Sequence, residues 1–244
     1  MEKAIFTITE NAPLTESVFR LRLAGDTSAV TAPGQFVNIL LDGFYLRRPF
    51  SVCDWDEGEL TVLYKILGRG TKAMTEYPAG KKLELLVGLG NGFDMAPAGD
   101  RPLLAGGGVG IPPLYGLARR LCARGKRPAA VLGFNTASDA ILLKEFHALG
   151  VETSVATLDG SLGQRGLVTD AMTSVGEYSY LYTCGPEGML RAVYAAAQSD
   201  GQFSFEERMG CGFGACMGCT CETKYGPKRI CRDGPVLRKE EIVW

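Results

Sequence analysis

Four cysteines near the C-terminus are the residues of this chain whose type and spacing could do chemistry most directly. They follow a C-x4-C-x2-C-x11-C spacing and are Cys211, Cys216, Cys219 and Cys231. This spacing is typical of thiolates that hold a [2Fe–2S] cluster. Glycines between them let the backbone fold tightly around a compact anionic group and aim N–H groups at its sulfurs. The pattern therefore predicts an electron carrier.

A zinc site is the main alternative to a [2Fe–2S] cluster at these four cysteines, and a set of unrelated structural cysteines is the other. Structural zinc sites usually combine two short Cys-x2-Cys pairs, whereas only Cys216 and Cys219 form such a pair here. Cys221 is a fifth thiol in the same loop and lies outside the spacing. We expect Cys221 to be a spare, partly buried cysteine.

Composition excludes several classes of protein. The 244 residues, 46% of them hydrophobic, suffice for one or two domains plus a small appendage. Because 26 basic residues nearly balance 27 acidic ones, neither a nucleic-acid footprint nor a polybasic membrane anchor is indicated. The N-terminus lacks the apolar stretch of a secretory signal, and no apolar run reaches the ~18 residues of a membrane span. A reducing, cytoplasmic location is expected for a chain of this length with eight cysteines.

The elements that must position the cysteines fall into three modules. Residues 1–98 contain short β segments separated by turns, which predicts a small antiparallel barrel. In residues 99–205, apolar strands alternate with helices, two of which are predicted over residues 139–150 and 186–201, as in a parallel α/β sheet. Residues 206–244 form the cysteine module. The predicted fold class is therefore a multidomain α+β chain, with an antiparallel β-barrel, an α/β parallel-sheet domain and a small cysteine-loop module.

Two segments of the barrel could bind an anion. Leu46–Val52 places two arginines side by side in a β context. Adjacent side chains on a strand point to opposite faces, so at least one of Arg47 and Arg48 is free for an anion such as a pyrophosphate. Gly68–Thr71 precedes a short helical stretch, where unpaired N–H groups could bind another anion. Either segment alone could be an ordinary surface feature, but their spacing suggests one flavin dinucleotide site.

The second module contains two further candidate segments. Gly106–Pro113 follows an apolar strand and opens a helix, so its glycines would let phosphates approach the backbone. It lacks the G-x-G-x-x-G fingerprint, and a plain glycine-rich turn is the alternative. Thr183–Pro186 ends another strand at the sheet edge where open α/β proteins bind ligands, although Cys184 alone could be a small buried residue. No Lys or Arg follows the second strand within residues 135–139, which favours NAD over NADP.

Five segments occur in the order in which the ferredoxin reductase superfamily carries them. They are PGQFV at 33–37, RPFS at 48–51, GRGT at 68–71, GGGVGIPP at 106–113 and TCGPEGM at 183–189. With the cysteine loop appended, the chain resembles the dihydroorotate dehydrogenase B branch of that superfamily over nearly its whole length. The resemblance implies FAD, NAD and a [2Fe–2S] cluster as cofactors, with FAD in the barrel, NAD in the second module and the four spaced cysteines as metal ligands.

The resemblance also implies roles for individual residues. Arg48 would meet the FAD pyrophosphate, Ser51 would lie near the isoalloxazine and Cys184 would face the nicotinamide. The rings of Phe50 and Tyr64 could instead belong to the barrel core. The residues expected to bind cofactors are Arg48, Pro49, Phe50, Ser51, Leu63, Tyr64, Lys65, Gly70, Thr71, Gly106, Gly107, Gly108, Gly110, Cys184 and Gly185.

A nicotinamide exchanges a hydride whereas an iron–sulfur cluster passes single electrons, and a flavin between them converts one into the other. The chain offers no site for an organic substrate, which implies a partner subunit. By resemblance, that partner is an FMN-containing dihydroorotate dehydrogenase catalytic subunit, in a hetero-oligomer with two copies of each subunit. Electrons would then pass from dihydroorotate through the cluster and FAD to NAD in pyrimidine biosynthesis. Ferredoxin- or sulfide-linked reductase subunits, a self-contained NADH reductase and a zinc-bearing redox sensor are the alternatives.

Overall fold

The computed structural model describes residues 1–244, and its first six strands form a closed antiparallel barrel. The order around the barrel is β1-β2-β5-β4-β3-β6. The strands are β1 (Glu2–Pro13), β2 (Val18–Ala24), β3 (Phe36–Ile39), β4 (Arg48–Asp56), β5 (Glu59–Lys65) and β6 (Lys82–Leu89). Along β6 every second residue is buried, because successive side chains of a strand point to opposite faces. The inward-facing side chains fill the barrel and form its own hydrophobic core.

A short helix, α1 (Arg69–Met74), connects β5 to β6 and is fixed to the barrel by one amide. The Asn11 side chain donates to the carbonyl of Met74 at 2.8 Å and to that of Tyr77 at 3.1 Å. It also accepts a hydrogen bond from the Tyr64 hydroxyl at 3.0 Å. Met74 is buried against the barrel core, so the loop before α1 has a fixed position beside β4 and β5.

The second half of the chain builds a sheet whose first six strands are parallel. These are β7 (Leu103–Gly107), β8 (Ala129–Phe134), β9 (Glu152–Thr157), β10 (Gln164–Arg165), β11 (Leu181–Cys184) and β12 (Gly201–Ser204). The connecting helices are α2 (Ile111–Ala123), α3 (Leu143–Ala148), α4 (Val168–Met172) and α5 (Glu187–Ala196). Short 3-10 turns occupy Ala96–Ala98, Gly108–Gly110, Ala137–Asp139 and Lys239–Glu241. None of the helices has the length and apolar composition that crossing a bilayer requires.

The cysteine segment leaves the sheet and then returns to it. It contains a two-stranded hairpin of β13 (Thr220–Cys221) and β14 (Lys228–Arg229), followed by β15 (Val236–Arg238). Strand β15 pairs antiparallel with β12 as the seventh strand of the sheet. Cys219 and Cys231 are buried in a core that also contains Phe36 of the barrel and Leu237 of β15. The cysteine segment is therefore packed against both larger modules.

Barrel and sheet are joined through α2 and β4. A Cβ on Gly116 would lie only 2.4 Å from the carbonyl oxygen of Cys53, so the helix approaches the strand as closely as glycine permits. Arg119 and Arg120 both bind the Asp54 carboxylate, at 2.6 and 3.0 Å. A charged, hydrogen-bonded contact of this kind fixes the orientation of one module relative to the other.

The predicted fold class of barrel, α/β sheet and appended cysteine loop is confirmed. Two local predictions were wrong. The helix expected over residues 139–150 starts only at Leu143, because Leu142 adopts a left-handed backbone with φ 61°. Strand β12 was not predicted, because the preceding helix was expected to run to Gly201 and residues 202–205 were left unassigned. The boundaries 1–98, 99–205 and 206–244 stay a prediction, although β15 places the last part of the chain in the sheet.

Candidate functional site

A cleft of about 1480 Å³ lies between the barrel and the carboxyl edge of the sheet. It is lined by β4, β5 and the loop before α1 on one side, and by the segments after β7, β8 and β11 on the other. Every residue that the sequence assigned to cofactor binding lines this cleft except Gly106. The structure therefore brings together two sets of residues that are far apart in the sequence.

On the barrel side, the two adjacent arginines have different environments. The Arg47 guanidinium forms an ion pair with the Glu84 carboxylate and also donates to the Glu84 carbonyl at 3.2 Å. The Arg48 guanidinium lies 5.4 Å from the Phe44 ring centroid and directly over Gly70, where a Cβ would come within 3.0 Å of Arg48 Nε. Both arginines line the cleft, but only Arg48 has no carboxylate partner, so it is the arginine of the pair that is free to bind an anion.

The loop before α1 is shaped by Thr71. Its hydroxyl oxygen accepts hydrogen bonds from the N–H groups of Leu67 at 2.9 Å and Gly68 at 3.3 Å. These bonds close the loop and position Gly70 under Arg48. Thr71 lies at the cleft as expected, but its side chain holds the loop together.

The Tyr64 ring belongs to the barrel, although the residue lines the cleft. Only 1% of the residue is exposed, and the ring stacks on Phe19 with centroids 5.6 Å apart. Burial raises the pKa of Tyr64 to about 12, since the phenol is removed from water. Any cofactor contact of Tyr64 must therefore come from its backbone, whereas Phe50 is half-buried at the cleft wall.

On the sheet side, the cleft lies at a topological switch point. The chain continues from β7 to β8 on one flank of β7, and it returns to β11 on the other. Such reversals leave a crevice beyond the carboxyl ends of the strands, where open α/β proteins bind ligands. The glycine-rich segment and the Cys184–Pro186 segment meet at this crevice.

The glycines there permit a close approach of two strand ends. A Cβ on Gly110 would lie 2.5 Å from the Cys184 carbonyl oxygen. Gly108 has φ +52°, and a methyl group on it would meet no atom within 4 Å, so its backbone is open to the cleft. Gly106 has another role, since a Cβ there would lie 2.8 Å from Leu114 of α2. Gly106 therefore serves strand–helix packing and does not line the cleft.

The Cys184 thiol is a neutral part of the cleft wall. Only 9% of the residue is exposed. Burial raises the pKa of Cys184 to about 12, and a hydrogen bond with Ser204 offsets this only in part. The thiol is therefore protonated at neutral pH, so it can pack against a ligand but does not act as a thiolate nucleophile.

Sequence reasoning missed a third wall of the cleft. Residues 206–209, between β12 and the first cysteine of the loop, line it together with Ser204 and Phe205. Strand β12 runs parallel to β11 and therefore ends at the same edge of the sheet, but this pairing is visible only in the structure. Because β12 was not predicted, these residues were not assigned to the site.

The four spaced cysteines form two pairs. The Cys211 N–H group donates to Cys216 Sγ at 3.4 Å, and the Cys231 N–H group donates to Cys219 Sγ at 3.4 Å. No three Cys, His, Asp or Glu side chains converge as they would around a single metal ion. Two pairs are what a [2Fe–2S] cluster requires, since each iron takes two thiolates. The donor set and its arrangement fit that cluster.

Backbone N–H groups favour the ionised form of the first thiol. Burial alone raises the pKa of Cys211, but N–H groups of Phe213, Cys216 and Ala215 donate to its sulfur and lower the pKa to about 6. The Ala215 N–H is the nearest of them, at 3.2 Å. A thiolate held by N–H donors is the form that binds iron.

Glycine is required at two positions of this loop. Gly212 and Gly214 have φ values of +77° and +92°, a region that other residues rarely adopt. Arg229 of β14 fixes the loop by donating to the Gly214 carbonyl at 2.9 Å and by pairing with Asp233. Cys221 lies in β13, outside both thiol pairs, and is half-buried as expected for a spare cysteine.

The iron–sulfur cluster binding domain of dihydroorotate dehydrogenase B matches residues 206–243. Two full-length relatives are dihydroorotate dehydrogenase B (NAD(+)) electron transfer subunits. That of Bacillus mycoides (strain KBAB4) is 40% identical, covering 100% of this chain and 99% of the relative. That of Bacillus caldolyticus is 42% identical and covers 97% of each. The chain belongs to this electron-transfer subunit family.

Solved structures agree with this membership. A chain from the structure of an NADH-dependent reduced ferredoxin-NADP oxidoreductase, described in relation to flavin-based electron bifurcation, has a TM-score of 0.88. It is 30% identical, and the match covers 98% of this chain and 90% of the other. The cytochrome b5 reductase domain of Ulva prolifera nitrate reductase is 15% identical with a TM-score of 0.64, over 78% of this chain and 89% of that domain. That second likeness concerns the fold alone.

Proposed function

We propose that this chain passes electrons between NAD, FAD and a [2Fe–2S] cluster as the electron-transfer subunit of a dihydroorotate dehydrogenase. The observation that carries the proposal is that residues 206–209, which lead into the two thiol pairs, line a cleft formed by the barrel and the switch point of the sheet. When bound, the flavin supplies the exchange between hydride and single-electron transfer. The residues of the chain bind and orient the cofactors.

On the barrel side, Arg48 would hold the pyrophosphate of FAD, since it faces the cleft beside Gly70. Ser51 would lie near the isoalloxazine, further along the same strand. Pro49, Phe50, Leu63, Tyr64, Lys65 and Thr71 would complete the wall around FAD, with Tyr64 contributing its backbone.

On the sheet side, Gly107, Gly108, Gly110 and Gly185 would bring NAD close to the backbone. The buried Cys184 thiol would form the wall against the nicotinamide and keep water out. Asn135 and Asp139 line the cleft after β8. Since neither is basic, they favour NAD over a nucleotide with a 2′-phosphate.

The chain would need a catalytic partner that holds FMN and oxidises dihydroorotate. Phe213 and Met217, in the cysteine loop, are 42% and 54% exposed, and we propose that they pack against this partner in a complex with two copies of each subunit. Ile230 is another apolar residue near the thiols in the sequence, but it is fully buried and packs with Cys219 and Cys231, so it shields the thiols instead. The cytoplasm is the proposed location, because all eight cysteines are free thiols.

Mixing the chain with an FMN-containing dihydroorotate dehydrogenase subunit from the same source tests this function. We expect a stable complex that reduces NAD when dihydroorotate is added. The chain alone should reduce artificial acceptors with NADH but should not oxidise dihydroorotate. If no complex forms while another redox protein accepts electrons efficiently, the assignment to pyrimidine biosynthesis is wrong and only the reductase function stands.

A second candidate follows from the structural likeness to the NADH-dependent reduced ferredoxin-NADP oxidoreductase. A reductase subunit of a ferredoxin-linked complex would use the same barrel, sheet and cysteine loop. An assay in which reduced ferredoxin replaces dihydroorotate and the FMN subunit as the electron donor distinguishes the two candidates. Electron transfer from ferredoxin to NAD at a comparable rate would support the second.

The cluster assignment has its own test within the cysteine loop. Replacing Cys219, one member of the buried thiol pair, by Ser should abolish the visible absorption and EPR signal of the cluster. The matched control is Cys221→Ser, which changes a neighbouring thiol outside both pairs and should leave both signals intact. Zinc in place of iron in the purified wild-type chain would support the redox-sensor alternative.

A further inference from the structure

A buried amide on β3 of the barrel contacts the first cysteine of the cluster loop. Asn38 is 2% exposed, and its Nδ2 donates to the carbonyl oxygen of Cys211 at 3.2 Å. The next residue of the loop fits closely against the same group, because a Cβ on Gly212 would lie only 2.3 Å from Asn38 Nδ2. The contact therefore involves the first cysteine of the cluster loop, and only glycine fits beside it.

The same amide lies next to the strand that lines the flavin side of the cleft. Asn38 pairs directly with Pro49 of β4. Arg48, Phe50 and Ser51, the neighbours of Pro49 on β4, line the cleft. Asn38 thus connects the Cys211 backbone to the strand proposed to hold FAD.

The stability of the barrel does not explain an asparagine at this position. Its Oδ1 is buried without a hydrogen-bond donor from the protein, and a buried, half-satisfied amide is unfavourable compared with an apolar residue of similar shape. Val37 and Ile39 on either side are fully buried in the barrel core. Asn38 alone of these three turns its side chain towards the cysteine loop.

We propose that Asn38 is a positioning residue that fixes Cys211, as the cluster ligand on the flavin side, against strand β4. The inference rests on the proposed function, since it assumes that iron occupies the thiols and that flavin occupies the barrel side of the cleft. Outer contacts of this kind orient metal ligands and tune the metal that they bind. The Cys219–Cys231 pair lies in an apolar core with Phe36 and β15 and receives no hydrogen bond from a barrel side chain.

The test compares two asparagines whose side-chain amides donate to backbone carbonyl groups of the cysteine module. Asn38→Leu removes the bond to Cys211 while keeping a side chain of similar size. The control is Asn91→Leu, because the Asn91 amide also donates to carbonyls of this module, those of Arg232 at 3.2 Å and Asp233 at 3.3 Å, but makes no hydrogen bond to Cys211 or to β4. Both variants are prepared as the flavin- and iron-containing chain.

We expect Asn38→Leu to keep its flavin and iron and to reduce its flavin with NADH at the wild-type rate. Its reduced cluster should show altered EPR g-values and a shifted midpoint potential. In stopped-flow experiments with NADH, bleaching of the cluster after flavin reduction should slow by about 10-fold or more. Asn91→Leu should leave the g-values, the potential and the bleaching rate unchanged.

The inference is wrong if Asn38→Leu has the same EPR g-values, midpoint potential and bleaching rate as the wild type. It is also wrong if Asn91→Leu changes these three quantities as much as Asn38→Leu does. If Asn38→Leu does not fold, Gly212→Ala is the second variant, because its new methyl group would collide with the Asn38 amide. It should produce the same changes in the EPR g-values and the midpoint potential while leaving the barrel intact. A wild-type chain that contains neither flavin nor iron would contradict the proposed function itself, and the inference with it. A chain with both cofactors but no dihydroorotate-linked partner would contradict only the proposed pathway.

Discussion

The two sides of the cleft use different parts of the polypeptide. The barrel side presents a charged side chain, Arg48, that faces the cleft while its neighbour Arg47 is neutralised by Glu84. The sheet side presents backbone, because Gly107, Gly110 and Gly185 leave no room for side chains where β7 and β11 end. A side-chain contact can be removed without disturbing the fold, whereas a backbone contact depends on how closely two strand ends approach. Substitutions on the two sides should therefore differ in kind as well as in size.

The largest effect is expected from Gly110→Ala on the sheet side. The new methyl group would lie 2.5 Å from the Cys184 carbonyl oxygen, which is a backbone atom and cannot rotate away. Separating the two strand ends should lower kcat/KM for flavin reduction by NADH by about 100-fold or more. Gly188→Ala is the control for adding a methyl group at the cleft, because Gly188 of α5 also lines the cleft but has open space around it; this variant should keep or raise Tm. An active Gly110→Ala variant would show that the strand ends need not be this close.

On the barrel side, Arg48→Ala should weaken FAD binding without unfolding the protein. Loss of a charge-assisted contact of about 1.5–3 kcal/mol corresponds to roughly 10- to 150-fold in affinity. The loss of affinity is measured as the fraction of flavin retained through purification and as the Kd for FAD obtained by titration. Arg47→Ala is the matched control, because its guanidinium binds Glu84; it should lower Tm and retain flavin. If the two variants lost flavin equally, the two arginines would not have separate roles.

The preference for NADH over NADPH tests the sheet side of the cleft without any change to its backbone. Since Asn135 and Asp139 provide no cation at the cleft, a 2′-phosphate lacks a contact of about 1.5 kcal/mol or more. We therefore expect kcat/KM for NADH to exceed that for NADPH by at least about 10-fold. Asn135→Arg should narrow this ratio. Equal use of the two nucleotides by the wild-type chain would contradict the placement of the adenosine ribose beside these residues.

The smallest effect is expected from Cys184→Ala. Because the thiol is buried and its pKa is raised to about 12, it stays neutral between about pH 6 and pH 9, well below that pKa. Its removal should lower stability by about 1 kcal/mol and leave the shape of the pH–rate profile for NADH-dependent flavin reduction unchanged. A wild-type rate that changes near pH 8 to 9, and loses that dependence in Cys184→Ala, would mean that the thiol ionises in the working enzyme.

Features set by local sequence were predictable, and features set by distant partners were not. The spacing of the cysteines and the alternation of the six barrel strands are local patterns, and the structure contains both the thiol pairs and the barrel. Strand geometry alone left Arg47 and Arg48 equivalent, and only the family resemblance selected Arg48, because the physical difference between them depends on Glu84 of β6. The contact of Asn38 with Cys211 joins residues 173 positions apart, and no local pattern indicates it.

Errors within the sheet have the same origin. Leu142 belongs to an apolar run that favours a helix, but the chain turns there with a left-handed backbone while burying the leucine side chain. Strand β12 has only four residues and a single large apolar side chain, Phe203. Its pairing with β11 and β15 makes it a strand, so tertiary context overrides a weak local preference.

Because β12 pairs with β15, the iron-binding segment is an insertion between two neighbouring strands of the sheet. The chain leaves the sheet after Ser204 and re-enters it at Val236, and these two residues are cross-strand neighbours. A tight hairpin could therefore replace everything between them and still give the sheet its last strand. Simple truncation after β12 would instead expose the unpaired edge of that strand, which invites aggregation. Shortening this excursion should thus give a chain without iron, but it would also remove the cleft wall of residues 206–209 and uncover Phe36 of the barrel.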